Sequence, residues 1–131
     1  MDGRLKTQWW GVCVDARDPD RLAKFYSLVL GWPVSQSDEN GAAIAVPGTP
    51  SFISFQRSDD FRAPSWPSTQ DEQQMMMHLD VAVDDLEAAS SAAVALGATM
   101  AHHQPQDSVR VLVDPEGHPF CLYADAAPSD Q

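Results

Sequence analysis

His78 and Asp80 stand two residues apart in the stretch HLDVAV, whose apolar residues alternate as in a half-buried strand. Strand side chains alternate faces, so the two share one. A carboxylate beside an imidazole favours the protonated ring and orients it, which suits general acid–base work. The structural alternative is a hydrogen bond between the same two groups. Cys121 lies in a second short strand, residues 120–124. It is a candidate nucleophile if His78 lowers its pKa. Arg110, in a strand over 109–113, would hold an anionic group provided its phase turns it inward. His102 and His103 are adjacent and would point to opposite faces, and His118 falls in a turn. These three histidines read as exposed loop and turn residues, not ligands.

The elements that must position these groups occur twice. Gly11–Gly31 and His78–Gly97 each run from an alternating strand through an acidic turn into a helix that ends in Leu-Gly. The strands Ser51–Phe55 and Pro119–Tyr123 repeat at nearly the same offset. Two copies of a strand–helix–strands unit indicate duplication and are too few for a solenoid. Two such modules are expected to pair face to face around a cleft. The fold class expected is therefore α+β, one domain over 1–131, with module one at 8–57, a connector at 58–74 and module two at 75–125.

In module one, strands are expected at Trp9–Asp15, Pro33–Gln36, Ala42–Val46 and Ser51–Gln56. Asp18 is a good N-cap, Pro19 suits the first helical position and Gly31 suits the C′ stop. Asn40-Gly41 signals a hairpin. In module two, strands are expected at Met76–Val83, Thr99–His103, Val109–Val113 and Phe120–Ala124, with a helix over Asp85–Leu96. The tail after Ala126 is expected to fray. The connector contains Trp66, which either covers the cleft, meets a second subunit or caps an apolar edge. Period 2 then turns Gly11, Cys13, Asp15, Phe52, Ser54, Gln56, His78, Asp80, Ala82, Cys121 and Tyr123 toward the cleft. Of Trp9 and Trp10, one should face the core and the other the cleft or a partner.

The composition narrows the function classes. A formal net charge of −11 argues against nucleic acid as a partner, since phosphate binding needs basic patches. It is compatible with a cationic small molecule, and more simply with solubility. No apolar run approaches the roughly 20 residues that span a bilayer, so no membrane association is expected. The first residues show no signal-peptide pattern, and a cytoplasmic location is the expectation. Cys13 and Cys121 form no CxxC pair and are expected to be free, buried thiols.

Three motifs together resemble the vicinal oxygen chelate superfamily of glyoxalases, bleomycin resistance proteins and extradiol dioxygenases. They are Asp18…Phe25-Tyr26…Leu30-Gly31-Trp32, His78-Leu79-Asp80-Val81…Val83-Asp84-Asp85, and Asp114-Pro115-Glu116-Gly117-His118. The form is most similar to small bacterial glyoxalase-like domains. The resemblance implies paired βαβββ modules, curved sheets around a cavity, and a homodimer. It also implies four metal-ligand positions, which fall here on Gly11, Ser54 (or Gln56 in a shifted register), His78 and Cys121. Of these only His78 keeps the usual type, so neither a metal nor any other cofactor is expected.

The leading expectation is a metal-free protein that binds a small molecule of cationic or aromatic character. Trp9, Cys13, Phe52, Gln56, Arg110 and Tyr123 would form its pocket around His78 and Asp80. The alternative is a divergent enzyme of lyase, isomerase or dioxygenase type. It would be metal-dependent, or it would use His78 and Asp80 for acid–base chemistry with Cys121 as nucleophile.

Overall fold

A computed structural model describes residues 1–124; the tail after Ala126 lies outside the described residues. The chain divides into two compact units, Met1–Phe61 and Arg62–Gln131.

Unit 1 runs β1 (Trp10–Ala16), α1 (Pro19–Leu30), β2 (Val34–Ser37), β3 (Gly41–Ala45) and β4 (Ser51–Arg57). Its sheet order is β1-β4-β3-β2, with β1 parallel to β4 and the other pairs antiparallel. Local sequence explains α1. The Asp18 carboxylate accepts from the Arg21 amide at 3.1 Å, Pro19 opens the helix, and Gly31 closes it at φ 73°. That left-handed turn strains any residue with a Cβ, which is why glycine sits there. Leu22, Ala23, Phe25 and Tyr26 form the buried stripe of α1. Tyr26 stacks on Phe55 with ring centroids 5.8 Å apart. Ala42, Ile44 and Phe55 complete the core beneath the helix. Each large side chain buried there contributes roughly 1.5–3 kcal/mol.

Unit 2 repeats the plan: β5 (Asp80–Val83), α2 (Leu86–Leu96), β6 (Thr99–Met100), β7 (Val109–Val113) and β8 (Pro119–Ala124), in the order β5-β8-β7-β6. Asp85 caps α2 through the Ala88 amide at 2.9 Å. The α+β class and the βαβββ plan of each module therefore hold. Leu112, Phe120 and Leu122 are buried on the face that α2 covers, with Ala93 packed from the helix.

Two strands of unit 2 are shorter than the sequence pattern suggests, for identifiable reasons. β5 begins at Asp80, not Met76. Its parallel partner β8 starts at Pro119, so residues 76 and 77 stand level with the preceding turn. In that turn the Asp114 carboxylate already takes the amides of Glu116, Gly117 and His118 at 2.9–3.0 Å. β6 ends at Met100 because the Gln104 side chain then stands in for strand backbone. Its Nε2 donates to the Ala101 and Val111 carbonyls at 2.9 and 2.8 Å, and its Oε1 accepts from the Val111 amide at 2.8 Å.

The connector belongs mostly to unit 2. The Ser65 amide donates to the Gln73 carbonyl at 2.9 Å. The Trp66 indole donates to the His103 carbonyl at 3.0 Å, with its ring 5.9 Å from the His103 ring.

Candidate functional site

In unit 2, the register Asp80↔Cys121 and Ala82↔Tyr123 puts these four residues on the sheet face opposite α2. Just ahead of β5, His78 brings Nε2 to 3.1 Å from Asp80 Oδ1, an ion pair when the ring is protonated. The Leu79 carbonyl accepts from the Cys121 amide at 2.9 Å, which ties this stretch to β8. One ligand atom each from His78, Asp80 and Cys121 lies within 4.8 Å of the others. Burial pushes the Cys121 thiol up, and the charge and hydrogen bond of Asp80 push it the same way. The sequence-based idea of an activated nucleophile therefore runs against the local electrostatics. Burial and the nearby carboxylate both disfavour the thiolate.

In unit 1, Gly11↔Phe52, Cys13↔Ser54 and Asp15↔Gln56 share the face turned away from α1. The Gln56 amide donates to Asp15 at 2.7 Å, which occupies both polar groups with each other. The Ser54 hydroxyl is directed at the Val12 carbonyl, at 3.5 Å. The Phe52 ring lies across Gly11. A Cβ built there would fall 2.3 Å from that ring and 2.6 Å from the Phe52 carbonyl oxygen. Trp9 adds a second ring, its centroid 6.4 Å from that of Phe52.

Three expectations need correction. Arg110 does not share a face with Cys121. The register pairs it with Leu122, and Val111 with Cys121, so Arg110 lies on the α2 side of the sheet. The run Val109–Val113 is apolar except for Arg110, so alternation carries no phase information there. Val111, which sequence reasoning missed, is the buried neighbour of Cys121. Second, neither Trp9 nor Trp10 enters the core, since each is more than half exposed. Trp10 opens β1, the outer strand of its sheet, at the first register position with β4. Third, both cysteines are free, but Cys13 is exposed and Cys121 only half-buried.

The donor chemistry tests the metal that the resemblance implies. Gly11 offers no ligand, and the Phe52 ring fills the space beside it. Ser54 is a neutral hydroxyl already directed at backbone. The usual quartet of imidazole and carboxylate donors does not fit these residues. The His78–Asp80–Cys121 group is a different set, in which Asp80 lies outside that quartet.

Comparison with known proteins agrees with this architecture. None of the curated proteins matches the chain. Among solved structures, it is similar to a glyoxalase/bleomycin resistance protein/dioxygenase family enzyme from Burkholderia phytofirmans. Identity is 19%, coverage 87% of this chain and 95% of that one, and the TM-score 0.64. It is also similar to a possible glyoxalase from Bacillus cereus (9% identity, 88% and 97% covered, TM-score 0.65). A third is a fosfomycin resistance protein from Mesorhizobium loti (14% identity, 97% and 96% covered, TM-score 0.64). These identities speak to the fold. The model of the glyoxalase-like domain family matches residues 11–123, from the second residue of β1 to the next-to-last residue of β8. With the duplicated βαβββ plan and a match over most of its length, the chain belongs to the glyoxalase-like domain family.

Proposed function

We propose that this chain binds a small organic molecule, cationic or aromatic in character, without the metal that the family resemblance implies. The observation that carries this reading is the Phe52 ring lying across Gly11. One position thereby loses a metal ligand and gains an aromatic surface. Trp9 and Phe52 offer π-faces in unit 1, and a cation over such a face gains about 0.5–2 kcal/mol. Unit 2 carries, by itself, a face of similar character, with Asp80 as the negative charge and Tyr123 as the ring. A formal net charge of −11 draws cations toward the protein.

The test has two arms. Protein purified without chelators is analysed for metal, then titrated with a panel of planar aromatic cations by calorimetry. The expected result is sub-stoichiometric metal, with binding weakened about tenfold in Phe52→Ala. Stoichiometric zinc that disappears in Cys121→Ser would overturn the reading.

The approach of His78 to Asp80 favours a second reading, acid–base catalysis on a bound ligand. The imidazole would carry the proton and the carboxylate would stabilise the charged ring. His78→Ala should then abolish turnover while ligand binding survives. Unchanged turnover in that variant excludes the catalytic role.

A further inference from the structure

Arg110, displaced from the face of Cys121, lines a separate cavity of about 420 Å³ on the α2 side of the unit 2 sheet. Glu87, Ser90, Ser91 and Val94 line it from α2, Met100 from β6 and Arg110 from β7. The helical residues recur at three- and four-residue spacing, so they form one face of α2. Met100 pairs with Leu112, which places it on the same sheet face as Arg110. β6 is too short to reach Arg110, and this leaves the space open.

The chemistry of the lining is specific. Arg110 Nη1 donates to the carbonyls of Gln106, Asp107 and Val109 at 3.4, 3.0 and 3.0 Å, which hold the guanidinium in place. Among the described residues no carboxylate pairs with Arg110 and no cation pairs with Glu87. One cavity thus holds a cation and an anion that do not neutralise each other. Ser90 is only 5% exposed, and its buried hydroxyl has no hydrogen-bond partner. Native proteins leave few such groups unsatisfied, and this one lies beneath the cavity lining rather than open to it. Val94 and Met100 supply apolar wall that is 45% and 40% exposed.

We propose that this cavity is a second binding site, for a zwitterionic α-amino acid with an apolar side chain. The carboxylate pairs with the free edge of the Arg110 guanidinium, the ammonium with Glu87, and the side chain covers Val94 and Met100. A bare anion would meet Glu87 and a formal net charge of −11; a bare cation would meet Arg110. A zwitterion satisfies both charges. The volume lies within the roughly 300–1,000 Å³ of small-molecule sites. The site stands independently of the ligand proposed for the opposite face.

The experiment is an amide-resolved NMR titration of the full chain with L-leucine and L-methionine at millimolar concentration. Two partial analogues serve as controls: 4-methylpentanoate, which lacks the ammonium, and 3-methylbutylamine, which lacks the carboxylate. The amino acids should shift residues 87–94, 100 and 110, and each analogue should bind about tenfold more weakly or worse. Glu87→Gln, an exposed change that keeps the fold, should weaken leucine by about tenfold and remove its advantage over 4-methylpentanoate. Arg110→Lys keeps the charge but loses the planar fork, and should weaken both carboxylates while the circular dichroism spectrum holds. Asp80→Asn should leave leucine binding unchanged. The proposal is overturned if neither amino acid shifts these residues, or if the shifts fall at 78–82 and 121 instead. It is also overturned if 4-methylpentanoate binds wild-type protein as tightly as leucine.

Discussion

The chemistry of Cys121 is set by its neighbours rather than by its own reactivity. Burial and Asp80 both raise the thiol above its ordinary 9.0, so the thiolate forms only in distinctly alkaline solution. Alkylation of Cys121 at neutral pH should therefore be slow and rise steeply above pH 9. Asp80→Asn, which removes the charge and the hydrogen bond, should shift that rise to lower pH. Peptide-resolved iodoacetamide kinetics would show this, and an unchanged profile in the variant would refute the coupling. Exposed Cys13 should label in the same experiment. At Gly11, two effects of Gly11→Ala compete. Lower unfolded-state entropy favours alanine by about 0.4–1 kcal/mol. The added Cβ would meet the Phe52 ring at 2.3 Å and its carbonyl at 2.6 Å. Overpacking of that kind costs about 1–3 kcal/mol, so the clash wins and urea unfolding should show a net loss.

At the scale of elements, the helix ends were legible because capping is local: Asp18, Gly31 and Asp85 each act within three or four residues of the helix they bound. The strand faces in β1, β4, β5 and β8 were legible wherever polar and apolar residues alternate. The phase of Arg110 was not, because its strand is apolar on both faces. Nor was the shortness of β5, which depends on a partner distant in sequence, or that of β6. For β6 the cause is a nearby side chain, Gln104, which nothing in the hydrophobic pattern marks as a stand-in for backbone. Gln104→Ala removes three hydrogen bonds of 2.8–2.9 Å to Ala101 and Val111. At about 0.5–1.5 kcal/mol each, the loss should be roughly 2–4 kcal/mol by chemical denaturation. Near-normal stability would mean that water replaces the amide at no cost.

Asp20 couples α1 to β2. Its carboxylate accepts from Ser37 at 2.6 Å and Lys24 at 2.9 Å, and these bonds, the Ser37 one first, hold it below the usual 3.8. A lowered carboxyl contributes stability that is complete above its unfolded value and lost as pH falls through the folded one. Acid should therefore erode this contact below about pH 4. Ser37→Ala should blunt that part of the acid transition by lowering stability slightly at neutral pH, with variant and wild type converging in acid.

For the whole molecule, 19 acidic residues face 8 basic ones. Self-repulsion of that size favours expansion, and salt screens it over a Debye length of about 10 Å at 0.1 M. The melting temperature should rise with added sodium chloride through that range. A fall would mean that specific ion pairs outweigh the net charge, although exposed pairs such as Lys24–Asp20 are worth only about 0.2–1 kcal/mol in general. Within one family fold, the two sheets keep the same strand order, β1-β4-β3-β2 and β5-β8-β7-β6, yet their equivalent positions have diverged. Glycine stands in the first copy where histidine stands in the second, and serine where cysteine stands. At these matched places the first half offers a backbone covered by the Phe52 ring, and the second an imidazole and a thiol. Doubling the architecture thus did not double the chemistry: whatever needs a titrating group at these places can draw it from one half alone.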